Sequence, residues 1–298
     1  MNRRAFTTVE LMVVLLIGGI VAAAIGSVLR RQQRFFSSAA TIVEHRVALR
    51  DATGILPGEL RALSPAGGDV LAFSDSSIEI RATIGAAVAC DTVPGATAID
   101  LAPARPTRSP PLAAFATAPQ AGDIALVFDE RAPDDTSDDS WLEREVVGVA
   151  LAPNVCATSP LLDSADVLPR LRLRFGPSVP LPATVRPGAF VHVLRRVHYR
   201  LYRASTGDWY LGYSEWDGSA FAVIQPVSGP FSSYSRRAAN TGLLLRYLDA
   251  DGLEVSSPLD ASRIARVEVV ARAGSAAGLS GTGRVDDAQA VTVRPRNQ

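Results

Sequence analysis

Glu10 stands at the edge of an uncharged run, Leu11 to Leu29, that closes with Arg30 and Arg31. A carboxylate in hydrocarbon costs about 2.5–3.5 kcal/mol, so an acid placed there is functional and needs a partner; the chemistry that suits it is charge pairing with an amine. Three histidines, His45, His192 and His198, are the next groups to weigh. His192 and His198 share one face of a strand, but six residues at about 3.3 Å each separate them by roughly 20 Å, too far to hold one metal. With Arg196 and Arg200 they outline a polar face, either simply solvated or able to meet an anionic partner such as nucleic acid or lipopolysaccharide. Asp134, Asp135, Asp138 and Asp139 offer oxygen ligands suited to calcium, without the spacing or the glycine of an EF-hand; a solvated acidic loop is the competing reading.

Several chemistries are excluded by what the chain lacks. It contains no lysine, which removes the P-loop, the pyridoxal Schiff base and the protein-kinase ATP site. Gly274 to Gly283 is glycine-rich but has no strand-then-helix context for cradling phosphate. Gly212-Tyr213-Ser214 lacks the second glycine of a nucleophile elbow. No catalytic residue and no cofactor is therefore expected. With 47% hydrophobic and 20% charged residues the chain is not a disordered polymer, and 30 basic against 30 acidic residues imply no general grip on nucleic acid.

The candidate cleavage site of an ordinary secretory signal follows its apolar segment. Here the short basic leader with Arg3 and Arg4, then Ala5, Phe6 and Glu10, comes before it. These residues resemble the N-terminal signal of type IV pilins and pseudopilins. The resemblance implies that a prepilin peptidase cuts between Ala5 and Phe6, that the new Phe6 amine is methylated, and that Glu10 guides assembly; Ala5 stands where the family usually has Gly. The apolar segment then stays on the mature chain, with Glu10 in the first turn of a helix, where dipole and α-amine both favour a carboxylate. Removing Arg3 and Arg4 takes the 30 basic residues to 28 against 30 acidic, a net of −2.

Nineteen residues, Leu11 to Leu29, are just enough to cross a bilayer, which takes about 20. Gly18, Ala22 and Gly26 fall at i, i+4 and i+8 and give a small-residue face for close helix contact. The positive charges flanking the span tie, so the N-terminus is placed in the cytoplasm and the bulk outside because long domains translocate regardless of flanking charge. In such an exported domain the pair Cys90 and Cys156 reads as one disulfide.

Beyond Arg34 the helical pattern continues with Phe36, Ala40, Val43 and Val47 as one stripe, predicted to pack on the soluble domain. Gly54 and Pro57 predict the stop. From Phe6 to Thr53 that makes a rod of about 70 Å. After it come strands. Ile78, Ile80, Ala82 and Ile84 alternate, and Val191, Val193, Val197, Tyr199 and Leu201 oppose His192, Arg196, His198 and Arg200. Ser205 to Asp208 turns into Trp209 to Tyr213 as a hairpin, and Asp249 to Gly252 forms a further turn. The order of these C-terminal elements resembles PilW-like minor pilins and J-type pseudopilins of type II secretion. The expected organisation is a leader at 1–5, a membrane and filament-core helix at 6–29, its amphipathic continuation at 30–54, and a β-rich domain at 55–298. The fold class is α+β, with a long helix on an antiparallel sheet. The resemblance implies other pilin subunits, the prepilin peptidase and an inner-membrane assembly platform as partners, with the protein first in the inner membrane and then in a pilus. A tip adhesin or DNA receptor is the contrasting reading.

Overall fold

The structure, a computed structural model, describes residues 8–92, 95–103, 111–132, 134–152, 156, 159, 161, 170–176, 180–235, 241–274 and 286–296. One helix, α1 (Thr8–Ala62), is followed by thirteen strands among the described residues: β1 (Val70–Ser74), β2 (Ser77–Thr92), β3 (Ala98–Leu101), β4 (Ala113–Phe115), β5 (Ile124–Asp129), β6 (Ser140–Ala152), β7 (Arg170–Phe175), β8 (Phe190–Arg203), β9 (Trp209–Glu215), β10 (Gln225–Phe231), β11 (Leu243–Leu248), β12 (Arg266–Gly274) and β13 (Asp286–Val293). All pairings are antiparallel, so the chain is α+β as expected.

α1 does not stop at Gly54. It runs through Gly54 and Pro57 to Ala62, 55 residues and about 80 Å. A helical glycine costs about 1 kcal/mol and an interior proline about 3 kcal/mol. Against this, Leu56 and Leu60 are fully buried and Pro57 is buried between them. Each buried leucine returns about 1.5–3 kcal/mol, and Leu49 and Ala52 on the same face add to it. Packing on the domain outweighs the local breakers.

The sequence stripe also proves to lie on the other side. His45, Ala48, Leu49, Ala52, Leu56 and Leu60 form the buried face. Phe36, Val43 and Val47 are exposed by 68%, 61% and 51% and sit half a helical turn away from it. Alanines, a leucine ladder and one histidine permit closer approach to a sheet than phenylalanine does. Polar contacts support the docking, with Ser228 Oγ donating to the Ala48 carbonyl at 2.7 Å, the Arg296 N–H donating to the Arg61 carbonyl at 3.0 Å and Arg46 pairing with Asp287 of β13 at 3.8 Å.

Under this face lies the first core. Ile78, Ile80 and Ala82 of β2, Val197, Tyr199 and Leu201 of β8, and Leu211 of β9 pack with α1 and with Leu243, Leu245, Val267, Val269 and Ala271 of a separate sheet, β11-β12-β13. Tight hairpins set the registers. Ser74 pairs Ser77 across Asp75-Ser76, and Arg203 pairs Trp209 across a turn whose Gly207 takes φ +96°. The turn at Asp249 to Gly252 also forms as read, with Asp249 Oδ1 accepting from the Asp251 and Leu253 N–H groups.

A second core was not foreseen. β2 pairs with β3, β3 with β7, β7 with β6, β6 with β5, β5 with β8, and β8 again with β2, which closes a six-stranded barrel. Its interior is filled by Ile84, Ala89, Ile99, Leu101, Ala125, Val127, Val146, Leu173, Phe175, Val191 and Val193. β2 and β8 are long enough to serve both bodies. Their upper halves are barrel staves, and their lower halves carry the open sheet beneath α1.

Candidate assembly surface

The N-terminal part of α1 is exposed all round, from Val9 at 70% through Leu16 at 67% to Leu29 at 52%, and none of the described residues before His45 is buried. The helix is long and apolar enough to cross a membrane, and its apolar window has none of its surface buried in the domain. Glu10 lies exposed in the first turn. Ala5 and Phe6, the expected cleavage pair, fall outside the described residues. Gly18, Ala22 and Gly26 occupy one face, and a Cβ on Gly18 or Gly26 would meet nothing within 4 Å. The chain's own packing does not require glycine at either position.

Cys90 and Cys156 form the expected disulfide, with Cα atoms 5.4 Å apart. It pins the end of β2 to the segment after β6, packed with Ala102 and Leu112 at one end of the barrel.

The two other sequence candidates change meaning in the fold. Asp135 Oδ1 accepts from Ser137 Oγ at 2.6 Å and from its N–H at 2.9 Å, and these bonds hold the carboxyl below its usual range. Asp134, Asp135, Asp138 and Asp139 do not converge, and no group of three or more metal-ligating side chains occurs among the described residues. Asp135 is bonded within its own turn, whereas Asp138 and Asp139 each keep one buried carboxylate oxygen with no hydrogen-bond partner among the described residues. On β8 the alternation holds, but Arg196 is engaged: it forms an ion pair with Glu79 and stacks over Trp216 at 4.4 Å and Phe221 at 5.1 Å. Burial, and then Arg200, lowers the affinity of His198 for a proton. Glu79 and stacking thus compensate the charge that was to meet an anionic partner, leaving Arg200 exposed.

A buried ionic cluster escaped the sequence reading. Arg195 Nε and Nη2 donate to the two oxygens of Asp123 at 2.8 and 2.9 Å, and Nη1 donates to Glu215 at 2.8 Å. Arg195 also donates to the Ala118 carbonyl, while Tyr213 donates to the other oxygen of Glu215. Burial, followed by the bond to Glu215, pushes the Tyr213 phenol well above its usual range. The segment carrying Ala118 and Asp123 passes so close to the turn after β9 that a side chain on Gly122 would overlap the backbone of Gly218. The signal was parity: Arg195 falls on the inward series of β8 between Val193 and Val197, where an unpaired charge would be prohibitive.

No family model, curated protein or solved structure matches this chain.

Proposed function

We infer that the chain is a filament subunit of the type IV pilin kind, a minor pilin that enters a polymer through α1; a J-type pseudopilin of type II secretion uses the same parts. The observation that carries this is the division of α1. It docks by one face only from His45 onward, presents an exposed, uncharged surface all round from Leu11 to Leu29, and carries Phe36, Val43 and Val47 beyond the charged Arg30, Arg31 and Arg34 on the side turned away from the domain. A simple membrane anchor has no use for an apolar stripe beyond its span; a helix that packs among other helices does. The small face of Gly18, Ala22 and Gly26 supplies close approach, and Glu10 supplies charge pairing with the Phe6 amine of a neighbouring subunit.

The test is Glu10→Ala in cells that make the filament. The variant is expected in the inner membrane at normal level and absent from sheared filaments. Normal incorporation would overturn the pairing. Mass spectrometry of the extracted wild type is expected to find an N-methylated Phe6 as the first residue, and an intact leader in cells with active prepilin peptidase would overturn the filament reading altogether.

A further inference from the structure

The outer face of the barrel carries an aromatic group that neither membrane insertion nor α1 packing uses. Phe128 on β5 is opposite Trp141 on β6, with ring centroids 5.2 Å apart, and Trp141 packs edge-on to His192 at 5.1 Å. The register that pairs Val127 with Val191 brings Phe190 on β8 beside Phe128. Trp141 is 48% exposed and Phe190 59%. Phe128 and Phe190 open into a cleft of about 270 Å³ also lined by Glu130, Thr184 and Arg186.

The wall bearing Arg186 is held in place. Arg186, Pro187, Gly188 and Ala189 form a turn closed by the Ala189 N–H donating to the Arg186 carbonyl at 3.1 Å, with Gly188 at φ +101°. Proline then glycine at its centre is the composition a type II turn requires. The Gly188 N–H donates to the Ala89 carbonyl and Thr92 Oγ1 to the Val185 carbonyl, so the loop is stitched to β2. Among the described residues neither Glu130 nor Arg186 has an ion-pair or hydrogen-bonding side-chain partner, and both are exposed.

We propose that this cleft binds one ring of a neutral saccharide, the pyranose stacking by its C–H face on Phe190 and Phe128 while its hydroxyls donate to Glu130 and accept from Arg186. Charge decides among ligands. One guanidinium offset by one carboxylate gives no net field for a phosphate backbone, whereas single-stranded nucleic acid needs a positively charged groove beside its stacking platform. A ring with one apolar face and a rim of groups that both donate and accept matches an aromatic lining shared with a carboxylate acceptor and a guanidinium donor. The volume is at the small end for organic ligands and fits one ring rather than a long chain. The site lies on the barrel, away from α1, and stands whether or not the chain enters a filament.

The test uses the full chain in lauryldimethylamine oxide micelles, whose headgroup carries no sugar. Methyl glucopyranoside, methyl galactopyranoside and N-acetylglucosamine are titrated by saturation-transfer NMR. At least one is expected to bind saturably, with Kd on the order of 1 mM. Phe190→Ala and Glu130→Gln, both surface changes checked for an unchanged melting curve, are expected to weaken binding about tenfold, while Arg200→Ala on the same strand leaves it unchanged. Absence of binding to all three sugars overturns the proposal. So does binding that Phe190→Ala and Glu130→Gln leave intact, salt-sensitive binding of oligothymidylate in place of sugar, or self-association abolished by Phe190→Ala without any sugar binding.

Discussion

Arg195 and Asp123 meet as a two-pronged ion pair, Nε to Oδ1 at 2.8 Å and Nη2 to Oδ2 at 2.9 Å, with side chains 4% and 0% exposed. Arg195 sits on β8 between the last barrel-filling valine, Val193, and the first residue of the helix-facing core, Val197, while Asp123 immediately precedes β5. Truncating one member strands a buried charge, so Asp123→Ala is expected to cost about 3–5 kcal/mol. Replacing the pair together, Arg195→Met with Asp123→Leu, is expected to cost less than Asp123→Ala alone. Urea midpoints of the three proteins check this, and a double variant weaker than the single one would refute it.

The two faces of α1 separate stability from the assembly role proposed for the helix. Leu56→Ala is expected to destabilise the domain by about 2–5 kcal/mol, because Leu56 is fully buried. Val43→Ser and Phe36→Ser, on the exposed stripe, are expected to shift stability by less than about 0.5 kcal/mol while lowering recovery in sheared filaments. Chemical denaturation read beside filament yield distinguishes them.

The disulfide closes a loop with sequence separation 66. On chain entropy alone, Cys90→Ser with Cys156→Ser is expected to remove about 4 kcal/mol. Since the bridge lies at one end of the barrel, hydrogen exchange in the variant is expected to rise first in β3 and β7 and last in β12. Uniform exchange would place the bridge's effect elsewhere.

Acid sensitivity should track His198. Burial, aided by Arg200 and opposed by Glu79, holds its pKa below 6.5, so the unfolded chain takes up the proton first. Stability then falls as pH drops through 6.5 and levels off beneath the folded-state pKa. His198→Gln is expected to flatten this part of the profile, measured as urea midpoint between about pH 8 and about pH 5.

Local periodicity carried much of the fold. The alternation of β2 and β8, the turn at Gly207, the turn at Asp249 to Gly252 and the pairing of Cys90 with Cys156 were all readable because each depends on neighbours in the chain or on a residue type with few uses. The end of α1 was misread because Gly54 and Pro57 are local signals, overruled by the burial of Leu56 and Leu60 that only the sheet supplies. The packing face was misassigned for a similar reason. Phe36, Val43 and Val47 make an apolar stripe of large side chains, yet the domain takes the opposite face with Ala48, Leu49, Ala52, Leu56 and Leu60. Barrel closure was invisible because it depends on Val127 finding Val191 and Leu101 finding Ala89 and Leu171, contacts that no periodicity encodes. Phe190 and Phe128, 62 positions apart, were two unremarked aromatics until that closure put them side by side.

β2 and β8 run from the barrel to the sheet under α1, paired from Ser77 with Arg200 to Val88 with Phe190 with a single register shift between Thr83 and Gly85. No hinge separates the two bodies along these strands. A pull applied at the barrel and resisted at the helix would load this ladder lengthwise, so that its bonds share the tension in parallel and do not peel one at a time. A chain built this way would transmit force between the barrel and α1.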